Sequence, residues 1–200
     1  MTAPEPTARP APRLATFAVD ELDPRQRELY DAIVGGRRAT GPQLFALTDP
    51  EGGLNGPFNA MLLAPTLGHA LQRLGTAIRY ETTLSARMRE MAILAVAARW
   101  SSDFERYAHE PIGRAAGVTG GELAAIRRSE VPALPDDPER VAMLLVFALL
   151  RDEDVEDSTY DLAVATVGER VVYELTTLVG YYSMLALQLR IFRVPAPAES

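Results

Sequence analysis

The chain has 200 residues, 48% of them apolar, which is enough for one fair-sized hydrophobic core and so for a single domain. A formal charge of −7 speaks against nucleic acid or an anionic membrane as partner, because both reward a basic face, and it leaves an anionic substrate dependent on local arginines. With no cysteine in the chain, disulfides, thiolate metal sites, iron–sulfur clusters and every thiol mechanism are excluded.

Residues 1–16 are rich in Pro, Ala and Thr and lack an apolar stretch, so they read as a flexible arm and not as a secretion signal, which points to the cytoplasm. Residues 17–195 form the expected helical domain and 196–200 a tail. No segment alternates apolar and polar residues long enough for a half-buried strand, and helix signals recur, so the fold class is all-α with seven to eight helices. Asp23 followed by Pro24 caps a first helix that carries Leu29, Ile33 and Val34 and stops at Gly35 and Gly36. The Gly-, Pro- and Asp-rich stretch 41–57 predicts a long irregular connection that delivers Phe58, Asn59 and Met61 into something packed. Pro65 opens a helix through Arg79, and Ser85 caps a strongly periodic one through Arg99.

Ser102 or Asp103 caps the next helix, with Pro111 inside it and Gly117 at its end. Thr119 and Glu122 form a capping box for a short helix ending near Arg128, Asp137 with Pro138 starts another, and Ser158 with Asp161 marks a further start. The last helix, roughly 169–192, is apolar around most of its circumference, which implies a partner subunit. Its most apolar run, Leu175 to Leu187, is about 13 residues, short of the ~18–20 that a membrane span needs.

Glu105 and His109 stand four apart, so one helix face carries both and their side chains can touch. Such a contact orients an imidazole and raises its proton affinity, although the same spacing serves ordinary surface pairs equally well. Glu90 lies between Arg87 and Arg89 and fits either an acid–base role or a helix-stabilising ion pair. Trp100 suits core filling or pocket lining, and Asn59 a helix cap or a ligand contact. Tyr181 and Tyr182 are adjacent on a helix, so at most one is expected to line a pocket. His69 carries no matching motif. With only these two histidines, His69 and His109, a histidine-based metal site would need carboxylates for its other ligands, and none is expected.

In combination, Gly56-Pro-Phe-Asn-Ala60, Leu84-Ser-Ala-Arg-Met-Arg-Glu-Met-Ala-Ile-Leu94, Phe104-Glu-Arg-Tyr-Ala-His109 and Ala116-Gly-Val-Thr-Gly-Gly-Glu-Leu123 resemble the carboxymuconolactone decarboxylase family, which includes the alkylhydroperoxidase D-type thiol peroxidases. The resemblance runs from about Gly53 to Pro195. The peroxidase branch carries a glutamate, two cysteines and a histidine at positions that here read Glu90, Ser102, Glu105 and His109. Both ends are retained and both sulfurs are replaced, so peroxidase chemistry is excluded.

The resemblance implies an alkylhydroperoxidase D-like bundle, a homo-oligomer such as a trimer or hexamer, and a cofactor-independent carboxy-lyase acting on a small organic or lactone acid. In that assignment His109 gives the proton, Glu105 orients it, Glu90 is a second acid–base group, Arg87 seats the anion, and Asn59, Trp100 and Tyr181 contact substrate. An isomerase, lyase or cyclase on the same fold, and a non-catalytic oligomeric binding protein, are the alternatives. Where relatives carry Tyr-Glu-Trp, this chain has Phe104-Glu105-Arg106, and Glu110 and Pro111 follow His109 directly, so its pocket shape is expected to differ.

Overall fold

A computed structural model describes residues 11–37, 45–151 and 154–197. Among these the chain is helical, with a 3-10 turn at Val19–Glu21 and eight α-helices: α1 (Pro24–Val34), α2 (Pro57–Met61), α3 (Pro65–Tyr80), α4 (Ala86–Trp100), α5 (Asp103–Ala115), α6 (Gly120–Arg127), α7 (Asp137–Arg151) and α8 (Asp157–Phe192). Among the described residues the only β-type pairing is an isolated bridge between Thr48 and Leu54, and no helix is long and apolar enough to cross a membrane.

The boundaries follow from local chemistry. Asp23 accepts from the Arg25 and Gln26 amides while the Gln26 side chain returns to the Asp23 amide, closing a capping box on α1. Ser85 caps α4 through the Met88 amide, and Ser102, not Asp103, caps α5. At the end of α5 the Val118 amide reaches the Gly113 carbonyl and the Gly117 amide reaches Arg114, a Schellman closure that needs the positive φ of Gly117. Pro111 lies inside α5 without ending it. The expected start near Ser158 and the expected final helix from about 169 both lie in α8, which Gly168 divides: its φ of 84° and ψ of 157° break the helical path, so 157–167 and 169–192 are two helical segments in line across a kink.

Among the described residues one large core has α4 as its axis, and a small second cluster of Phe104, Ala108 and Leu189 joins α5 to the end of α8. Nearly every α4 residue from Met88 to Ala97 is buried, and the helix packs against α5, α6, α7 and α8. A central helix without a solvated face is what a chain of this size uses to bury the apolar stripes of several amphipathic neighbours at once. The described part of the irregular connection, 45–56, ends at Gly56, where an added Cβ would fall 2.2 Å from the Phe104 ring. That absence of a side chain lets α2 close down on α5 and brings Pro57 and Phe58 over it.

Asn59 locks the entry of the chain to this region. Its Oδ1 accepts from the Phe17 amide and its Nδ2 donates to the Ala15 carbonyl, each at 3.0 Å. Arg13 donates its amide to Phe192, so residues 13–17, partly assigned to the arm on sequence, are held against the bundle. Asn59→Ala leaves two backbone groups without partners and is expected to destabilise the fold by about 1–3 kcal/mol, read as a lower denaturation midpoint.

Candidate functional site

The site forms where α4 and α5 cross beneath α8. Capping by Ser102 sets the phase of α5 so that Phe104, Glu105, Ala108 and His109 share its buried face. Glu90 projects from the middle of α4 and is fully buried, while Glu105 and His109 are 3% and 5% exposed. His109 lies between the two carboxylates: its Nδ1 is 2.7 Å from Glu90 Oε2 and its Nε2 is 3.4 Å from Glu105 Oε2. A carboxylate only accepts, so the short contact puts a proton on Nδ1 and fixes the tautomer, turning Nε2 toward Glu105.

Glu105 and His109, with Glu90 behind the imidazole, form part of the wall of a cavity of about 110 Å³ in which Glu90 itself takes no part and which Phe45, Phe58, Phe104, Ile112 and Leu185 otherwise line with apolar surface. Arg79, Glu105, His109, Tyr181 and Tyr182 supply its polar groups. The Tyr182 ring meets His109 edge-on at 5.4 Å between centroids, and Tyr181 meets Tyr182 edge-on at 5.3 Å. Both tyrosines therefore reach the cavity, against the expectation that at most one would. Neighbouring helical side chains diverge by roughly 100°, but the cavity wraps around α8 far enough for two perpendicular rings to share its wall.

Burial, the strongest single influence on Glu90, pushes its carboxyl upward. The charge and hydrogen bond of His109, with Arg79 and Arg89, outweigh burial and hold Glu90 below the usual carboxylate range. Burial drives the Tyr182 phenol strongly upward, assisted by Glu105 and Glu90, so it remains a hydrogen-bond donor at neutral pH. Burial works against the Arg79 charge, but Glu90 and Tyr182 more than restore it. Among the described residues no group of three or more His, Asp or Glu side chains is arranged to hold a metal ion.

Sequence reasoning brought Glu105, His109, Glu90 and Tyr181 to one place, but with Glu90 in the close contact given to Glu105. The other three expected substrate contacts lie elsewhere. Arg87 is turned toward α6 and α7, where its guanidinium meets Glu122 at 2.5 Å and Glu139 at 2.9 Å and also reaches the Gly117 carbonyl. Two carboxylates already satisfy that charge, so the expected anion seat is a tie between helices. Arg87→Met is expected to lower stability by about 1 kcal/mol and leave turnover unchanged, measured by denaturation and activity on the same preparation. Asn59 holds the 15–17 segment, and Trp100 lines a separate cleft with Arg99, Arg190 and Arg193 near the end of α8.

Arg79 and Tyr182 were missed as site residues. An arginine in the last turn of α3 is what the helix dipole favours on any surface, so its spacing carried no distinguishing signal. The one usable clue to Tyr182 was its adjacency to Tyr181 in an apolar helix.

The sequence profile of the carboxymuconolactone decarboxylase family matches residues 65–148, the segment from α3 through most of α7 that supplies Arg79, Glu90, Glu105 and His109. No curated protein shows significant sequence similarity to the chain. The fold is shared with two uncharacterized peroxidase-related proteins. The one from Silicibacter sp. TM1040 has a TM-score of 0.72 at 14% identity, covering 98% of this chain and 96% of its own. The one from Ralstonia eutropha JMP134, described as an alkylhydroperoxidase AhpD core, has a TM-score of 0.72 at 12% identity, covering 95% and 94%. The debrominase Bmp8 also shares it, with a TM-score of 0.65 at 13% identity over 88% and 87%.

Proposed function

From a chain whose residues 65–148 match the carboxymuconolactone decarboxylase family and whose fold is alkylhydroperoxidase D-like, we propose a cofactor-independent acid–base enzyme that decarboxylates a small lactone acid. The observation that carries this is His109, buried between two carboxylates in the wall of an aromatic cavity. An ordinary helix-surface pair would face water, and a non-catalytic binding protein has no need to bury two carboxylates around one imidazole.

In the reaction the carbon–carbon bond to the leaving carboxylate breaks and carbon dioxide departs. The electron pair runs through the conjugated double bond to the lactone carbonyl oxygen, giving a dienolate. Protonated His109 then delivers the Nε2 proton to carbon, and the imidazole recovers a proton from solvent. Glu90 holds the ring through Nδ1, Glu105 lies beside the transferring proton, and the Tyr182 phenol offers a donor for the developing oxyanion. Sulfur takes no part, since Ser102 and Glu105 occupy the positions of the two peroxidase cysteines.

Exposed Tyr173, Leu187 and Ile191 on α8 fit an additional role for that helix in a homo-oligomer. The enzymatic reading is tested by offering small lactone acids to the purified protein and to His109→Gln in parallel. Turnover by the wild type alone supports it, and equal turnover by both overturns it.

A further inference from the structure

We propose that the cleft at the end of α8 binds a phosphate group, held by Arg99, Arg190 and Arg193. This site is separate from the acid–base cavity and does not depend on the reaction assigned there. The last turn of α4, the first turn of α5 and the end of α8 enclose about 390 Å³, with Trp100, Phe104 and Leu189 as apolar surface. Among the described residues only Phe104 borders both spaces. All three arginines are exposed, and none has a carboxylate partner among the described residues. Arg99 gives its Nε to the Leu150 carbonyl at 2.8 Å, which leaves its two terminal nitrogens for a further acceptor. The side chains of Arg190 and Arg193 make no hydrogen bond or ion pair with any described residue. The one acidic side chain in the described walls, Asp103, is paired with Arg106 at 2.8 Å.

Arginines in a last helical turn ordinarily offset the helix dipole, and Arg99 and Arg190 stand in such turns of α4 and α8. That account does not cover the cleft as a whole. Its other side is the start of α5, and a helix N-terminus is a positive end that disfavours nearby guanidinium groups. In a chain with a formal charge of −7, three arginines therefore gather beside a positive helix end, an arrangement that an anion stabilises. Ser102 caps α5 through the Glu105 amide alone, and the Phe104 amide of the same turn has no partner among the described residues. The Trp100 indole Nε1 is likewise buried without an acceptor, a condition that costs stability until one is supplied.

Phosphate suits this set better than a carboxylate does. A phosphate carries about two negative charges at neutral pH and presents three acceptor oxygens in different directions. Guanidinium forks arriving from α4 on one side and from α8 on the other can each engage it, whereas a single carboxylate offers its acceptors in one plane. The cleft is larger than one phosphate fills, and Trp100, Phe104 and Leu189 provide apolar wall beside the charges. Free inorganic phosphate and the phosphate of a small organic ester present the same chemistry to the arginines, and the ester also covers that wall.

Trp100 is the only tryptophan, so its fluorescence reports on the cleft directly. The full chain is titrated with inorganic phosphate, phenyl phosphate and acetate, with sodium chloride holding the ionic strength constant. Both phosphates are expected to change the emission saturably at millimolar concentration or below, and acetate is not. Replacing two exposed side chains together, Arg190→Gln with Arg193→Gln, should weaken phosphate binding at least about tenfold. The corresponding lysine pair should keep part of it, since lysine retains the charge but loses the forked geometry. Arg128→Gln, an exposed arginine outside the cleft, should bind as the wild type does. Tighter binding of phenyl phosphate supports an organic ester as the occupant, and equal binding supports inorganic phosphate. No saturable response at millimolar phosphate, an equal response to acetate, unchanged binding by the glutamine pair, or an equal loss in Arg128→Gln overturns the proposal. An emission change that follows protein concentration and not phosphate also overturns it, because the cleft is then a contact between copies of the chain. If the double variant loses its helical circular dichroism, the two single variants decide.

Discussion

His109→Gln is expected to lower turnover at least about a hundredfold while leaving the fold intact, the size of effect typical when a positioned general acid is removed. Glutamine occupies similar volume and can still donate to Glu90 Oε2, the atom now 2.7 Å from Nδ1. It has no titrating nitrogen, so proton delivery to carbon is lost while the packing against Tyr182 is largely kept. Turnover and thermal midpoint measured together separate the two effects. A large fall in the midpoint would identify His109 as a structural residue, and wild-type turnover would remove it from the mechanism.

The second large effect is expected at Glu90. Glu90→Ala leaves the His109 Nδ1 proton, Arg89 and Arg79 around a void where a carboxylate stood. Breaking a buried charged pair from one side destabilises by about 3–5 kcal/mol, so a chain that folds at all should unfold at much lower denaturant. Glu90→Gln keeps the volume and an acceptor for Nδ1 but removes the charge, and should fall between the two.

The pH dependence has a definite sign. Glu90 sits below its ordinary value of 4.5 in the folded protein, so on acidification the unfolded chain takes up the proton first. The stabilisation from Glu90 is therefore complete above about pH 5 and is lost as pH falls through the lower folded value. Denaturation midpoints between pH 6 and 3 should drop more steeply for the wild type than for Glu90→Gln. Parallel profiles would remove Glu90 as a source of the acid sensitivity.

Local chemistry made most of the helices legible in advance. Asp23, Ser85 and Thr119 each cap through an oxygen that meets nearby amides, and a cap needs only its own neighbours to be read. Glu105 and His109 were legible for the same reason, since four residues on one helix is a local relation. The partnership of Glu90 with His109 spans 19 positions and exists only because α4 crosses α5. From the residues alone, Glu90 between two arginines looks like an ion pair on a solvated face. Arg87 shows the converse: its charge suited an anion seat, but Glu122 and Glu139 arrive from α6 and α7, which no reading along α4 could supply. Arg79 stayed hidden because its position at a helix end is favourable whether or not a ligand is bound.

The hydrogen bond from the Arg13 amide to the Phe192 carbonyl, at 2.8 Å, brings the two extremities of the helical body side by side. Splicing them through a short Gly/Ser connector and opening new termini at exposed Ser129 and Glu130 would give a circular permutant in which α3, α4, α5 and α8 keep their registration.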